Sequence, residues 1–217
     1  MTERPPVKPA RRNALAATAA LVVLALTGCG AQAGAASVVG GTSIRDSDVV
    51  TAVDGVRGAV GAENLAAFDE TAVTRATVNR LTRHYLLDEA AARQGIVVTQ
   101  AQVDDLIAST ITSGFAGDAG KFQQALAAKS FVPPNEISVF AHDVLVTQEL
   151  SKKLAPGGDA TVQTNKLAAY LGPLGKELGI EIAPRFGTWS FAASTIGELP
   201  HDLTLTPSTA PSAAATP

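Results

Sequence analysis

Only one cysteine, one tryptophan, one methionine and three histidines stand among the 217 residues, and aromatic side chains make up 5% of the chain. A lone cysteine, Cys29, excludes an intramolecular disulfide, so the folded part must be held by packing. Nucleic acid is an unfitting partner, because no run of bases interleaved with aromatics appears and the formal net charge is −3. Without Glu3, Arg4, Lys8, Arg11 and Arg12, the chain from residue 29 onward keeps 13 basic and 19 acidic residues, net −6. The histidines His84, His142 and His201 are far apart in sequence, and no His-x-x-x-His or paired-carboxylate metal spacing occurs. Gly117 and Gly120 are not followed by the Gly-Lys-Ser/Thr ending of a phosphate loop. No catalytic set and no metal site is therefore expected, and His84, His142-Asp143, Asp104-Asp105 and Lys152-Lys153 read as surface or partly packed groups.

What the chain does have begins at its N-terminus. Basic residues up to Arg12 precede an apolar run from Ala14 to Leu26, and Leu26-Thr27-Gly28-Cys29 follows without a stop-transfer charge cluster. The four residues resemble the lipobox of bacterial lipoproteins. That resemblance implies removal of residues 1–28 as a signal peptide and a diacylglycerol thioether on Cys29, with the acyl chains, palmitate among them, anchoring the protein outside the cell membrane. A covalent lipid is thus the one non-protein group expected. A plain signal peptide or a transmembrane anchor are the alternatives, and Arg11-Arg12 leaves twin-arginine export open beside the general route. Residues 29–36 read as a flexible tether and 200–217, rich in Thr, Pro, Ser and Ala, as a disordered tail.

Between them, residues 37–191 carry helical periodicity. Ser37 to Ile44 reads as a strand entering a tight turn, and Asp46 or Ser47 opens a helix with Val49, Val50, Val53 and Val56 inward. The organising stretch runs from Thr71 to Ile111. Val78, Leu81, Tyr85 and Leu86 recur at helical spacing until Gly95, and Thr99 with Gln102 forms the capping box of a second helix bearing Val103, Leu106, Ile107 and Ile111. This second helix is expected to turn back across the first. After a link at Ser113 to Gly117, Asp118 caps a helix with Phe122, Ala125 and Leu126 inward. Pro133-Pro134 open another from Asn135 to Leu154 that is apolar nearly all round and so needs several neighbours. A last helix spans about Ala160 to Leu178, with a bend expected at Gly172-Pro173, and residues 180–191 read as short strands.

Val38-Val39-Gly40-Gly41-Thr42-Ser43-Ile44, followed by Glu89 to Gly95 and Ile96-Val97-Val98-Thr99, resembles the N-terminal domain of the SurA and PrsA extracytoplasmic chaperones, relatives of trigger factor. Ile182 to Trp189 is similar to the segment with which such proteins return to the first strand. The resemblance implies a mostly α-helical chaperone domain with a small β element pairing its beginning and end. It departs from the family where Val39-Gly40-Gly41 replaces Val-Asn-Gly, and where only one helix fits between Leu154 and Gly179, the place of an inserted parvulin-type isomerase. The expected function is binding of unfolded or newly translocated polypeptides on an apolar cradle formed by Leu106, Ile107, Ile111, Phe115, Phe122, Phe131 and Phe140, with core as the favoured alternative for any single one of them. Two other readings remain beside it, a lipoprotein that binds one folded envelope partner and a degenerate prolyl isomerase.

Overall fold

The computed structural model describes residues 34–197. The leader, Cys29, most of the tether and the tail at 200–217 lie outside the described residues. Among the described ones, seven α-helices surround a small sheet, the mostly α architecture expected from the sequence.

The chain enters through a hairpin of β1 (Ala35–Val39) and β2 (Thr42–Arg45). Gly40 and Gly41 link the strands with φ of 57° and 84°, the left-handed pair that a two-residue hairpin of matching twist requires. The strand takes Ala35 and Ala36, so the tether is two residues shorter than expected, and Ala36 is fully buried. Asp46–Ala59 then forms α1, with Val49, Ala52, Val53 and Val56 buried and Val50 left exposed. A single-turn helix, α2 (Ala62–Leu65), interrupts the following loop.

The longest element is α3 (Glu70–Gln94), 25 residues or roughly 37 Å. Asp69 caps it through Ala72 N, and Gly95 ends it at φ 62°. Its length lets one helix serve two cores. Val73 and Val78 pack with α1 valines, Ile44 and Ala127, whereas Leu86, Leu87, Ala90 and Ala91 pack with residues of the later helices. Tyr85, expected on the apolar stripe, is exposed. The buried positions of α3 include Thr77 and Thr82, which hydropathy alone passes over, and Ser37 Oγ lies 2.7 Å from Thr82 Oγ1, tying β1 to the helix.

Thr99 and Gln102 make the expected capping box of α4 (Gln100–Phe115). This helix does not turn back across α3. It rests on α5 (Ala119–Ser130) and α6 (Ile137–Leu154), with only Val103 buried. It also runs through Ser113 and Gly114 to Phe115, and the chain reverses at Ala116 and Gly117 with positive φ. Asp118 caps α5 through Lys121 N, and a 3₁₀ turn at Pro134–Glu136 leads into α6. The all-round apolar character of α6 is explained by its neighbours, since it packs against α3, α4 and α7 (Ala160–Glu177) together.

Asp159 caps α7 through Val162 N, and the helix continues through Pro173. A Cβ at Gly172 would lie 2.7 Å from the Phe191 carbonyl oxygen, so the glycine is what lets the C-terminal segment cross this helix. Beyond Gly179, β3 (Glu181–Ile182) pairs antiparallel with β1, placing Ser37 opposite Ile182 and giving the sheet order β2-β1-β3. Thus the beginning and end of the fold are joined as expected. A second ladder, β4 (Trp189–Ser190) with β5 (Thr195–Ile196), extends the ordered region past residue 191. Asn79 Oδ1 accepts from Thr195 Oγ1 and Ile196 N, both at 2.9 Å, and so fastens β5 to α3.

Candidate functional site

The seven residues expected to form a cradle divide among three environments. Ile107, Ile111 and Phe115 of α4, Phe122 of α5 and Phe140 of α6 meet in one small apolar cluster, joined by Leu126, Val132 and Ile137. Only Phe122, Val132 and Ile137 are buried there, and the others keep part of their surface in solvent. Phe115 and Phe122 stand edge to face with ring centroids 5.4 Å apart. Leu106, also on α4, is half-buried and is not part of this group. Phe131 leaves it: the residue adopts a left-handed backbone at φ 54° after α5 and packs against the α1 core. Phe122, 6% exposed, is core and offers no surface to a ligand.

Phe140 has a second role. With Leu87, Val144, Arg80 and Arg83 it lines an open groove of about 460 Å³ between α3 and α6. Arg80 is held at the groove by an ion pair with Glu136, and its Nε and Nη2 are buried without hydrogen-bond partners. The apolar face of α4 and α5 and this groove, in which Arg83 is the guanidinium not taken up by Glu136, therefore meet at Phe140. Such a combination of apolar surface and cations suits an extended polypeptide, which offers both side chains and carbonyl oxygens.

Beside the groove lies a cluster that linear spacing did not show. His84 and Asp88 are four residues apart on α3, and His142 and Asp143 adjoin on α6. Packing of the two helices puts one ligand atom from each of the four within 4.8 Å of the others. His84 Nδ1 is 2.8 Å from Asp143 Oδ1, and its Nε2 is 3.4 Å from Asp88 Oδ2. His142 Nδ1 lies 3.6 Å from Asp143 Oδ1 and 3.9 Å from Asp88 Oδ1. The hydrogen bond to Asp143 raises the pKa of His84 above the ordinary imidazole value, with Asp143 and Asp88 adding charge attraction against burial and Arg80. The i, i+4 pair on α3 was legible, but nothing in the sequence states that α6 delivers its partner. Asp104, Asp105, Lys152 and Lys153 are exposed, as read from the sequence.

A scan against protein-family models matches residues 12–131 to the SurA-like N-terminal domain. The chain belongs to this family. The matched span reaches from before the described residues to the end of α5, so the family's sequence signal includes β1, β2, α3 and most of the apolar cluster. Searches of curated proteins and of solved structures give no match. The family membership supports a chaperone-like role in protein folding. Among the described residues, no helix is long and apolar enough to cross a membrane.

Proposed function

We propose that this SurA-like domain is a membrane-tethered, extracytoplasmic holdase that binds unfolded or newly translocated polypeptides and keeps them from aggregating. The observation that carries the proposal is the half-exposed apolar cluster of α4, α5 and α6, which continues into the arginine-lined groove at Phe140. A collapsing polypeptide exposes apolar side chains, and covering them on such a face removes the surface through which chains coalesce. In this reading Leu106, Ile107, Ile111, Phe115 and Phe140 contact the client, Phe122 supports the face from within, and Phe131 belongs to the α1 core. A diacylglycerol on Cys29 would hold the domain at the outer face of the membrane, where translocated chains emerge. Two or more acyl chains suffice for stable anchoring. The role is binding rather than catalysis.

The test is light scattering of a chemically unfolded model protein, with and without the polypeptide that follows Cys29. Suppression at near-stoichiometric ratio is expected. Leu106→Ser with Phe140→Ser should abolish protection while leaving the thermal midpoint nearly unchanged, whereas Phe122→Ala should lose roughly 3–5 kcal/mol of stability. No suppression at large excess would refute the holdase reading, and recovery of one folded partner at one-to-one stoichiometry would replace it with a dedicated assembly role.

A further inference from the structure

We propose that His84, Asp88 and His142 form a binding site for a divalent transition metal of the zinc class, with Asp143 holding His84 in the ligating orientation. His84 and Asp143 are joined by a hydrogen bond between α3 and α6. A carboxylate is an acceptor only, so the proton at 2.8 Å belongs to His84 Nδ1 and the Nε2 lone pair of the neutral ring is left free. That lone pair faces Asp88 Oδ2 at 3.4 Å, and His142 Nδ1 faces Asp88 and Asp143 at 3.9 and 3.6 Å. Two imidazoles and two carboxylates thus converge on one small space, where the carboxylates repel each other. A cation there relieves the repulsion. Protons can supply it, by charging the imidazoles, and so can a metal ion.

The spacing favours a metal. Ligand bonds of about 2.0–2.2 Å in a tetrahedral site place donor atoms roughly 3.3–3.6 Å apart; the 3.4 Å between His84 Nε2 and Asp88 Oδ2 lies in that range, and the 3.9 Å between His142 Nδ1 and Asp88 Oδ1 needs only a small side-chain adjustment. Two imidazoles and a carboxylate without thiolate suit zinc, and also cobalt, nickel or copper, rather than magnesium or calcium. Asp143, with its side chain 12% exposed, plays the part of the carboxylate that fixes tautomer and ring direction behind a ligating histidine. The side chain of Asp88 is 45% exposed, so an ion has an entry path from solvent. Because the ligands come from α3 and α6, the ion would bridge the two helices that also line the groove.

The experiment uses the full chain in mild detergent, carrying Cys29→Ser and no polyhistidine tag, stripped with a chelator and titrated with zinc by calorimetry. One zinc per chain with a micromolar or tighter Kd is expected, and a hundredfold excess over Kd should raise the thermal midpoint by about 5–10 °C. Asp143→Asn should weaken binding about 10- to 100-fold. His84→Gln with His142→Gln should abolish it, and Asp88→Asn, a change at a solvent-facing side chain, supplies a variant that keeps the fold. A wild type that takes up no stoichiometric zinc, or variants that bind as the wild type does, would overturn the site. The outcome is independent of whether the domain protects clients.

Discussion

At the scale of the residue, His84 is the most informative position because its neighbours set its charge. Asp143 and His142 face it from α6, and Asp88 and Arg80 from its own helix. The hydrogen bond to Asp143 raises its pKa above the unfolded value, near 6.5. A raised pKa means that the folded state binds the proton more tightly. The stabilisation is then complete below the unfolded pKa and disappears as pH rises through the folded one. In a chelator-containing buffer, the stability lost in His84→Gln should be larger at pH 6 than at pH 8, as read from urea unfolding. A larger loss at pH 8 would show that the ring is held neutral. The sequence displays His84 and Asp88 as an i, i+4 pair, but their completion by Asp143 depends on how α3 and α6 are set against each other. Phe122 and Phe131 teach the same lesson in reverse, since a phenylalanine in a helical stripe declares that it is apolar and not whether a neighbour covers it.

At the scale of the element, helix ends were easier to read than helix partners. Asp118 and the Thr99–Gln102 box act locally, through backbone N–H groups three residues away, so their positions follow from sequence. The partner of α4 does not. The stripe of Val103, Leu106, Ile107 and Ile111 is expected against α3, yet α4 packs on α5 and α6, while the link before it keeps Ile96 and Val98 against the core that α3 shares. Gly114 also failed to end this helix, as one interior glycine costs only about 1 kcal/mol against the packing of Phe115 beyond it. With only Val103 fully buried and its other apolar residues partly covered, α4 gains measurably from its cap. Thr99→Ala should cost about 1 kcal/mol and raise amide hydrogen exchange in the first turns of α4 more than in α3. Equal protection in both helices before and after the change would show that packing alone holds it.

At the scale of the whole molecule, Trp189 reports on how the parts are joined. It is buried in the core shared by α3, α6 and α7, although it sits in a two-residue strand near the end of the described residues. Its fluorescence should therefore change in the same thermal transition as far-UV circular dichroism, since β3 and β4 close a core made by helices far earlier in the chain. A dichroism change that precedes the fluorescence change would mark α4 and α5 as a separately melting lobe. By itself the sequence determined the mostly helical class, the caps at Thr99 and Asp118, the glycine turn after the first strand and a C-terminal return to that strand, because these rest on local backbone preferences, on periodicity and on a family pattern; of the segment 182–189 that the pattern marks for the return, only its start pairs with β1. The tertiary structure alone decided that α6 rather than α3 receives α4, which aromatics of the cradle remain open, and that two histidines 58 positions apart share a space with two carboxylates. Those depend on the relative placement of helices, and an amphipathic stripe specifies that it will be covered without naming its cover.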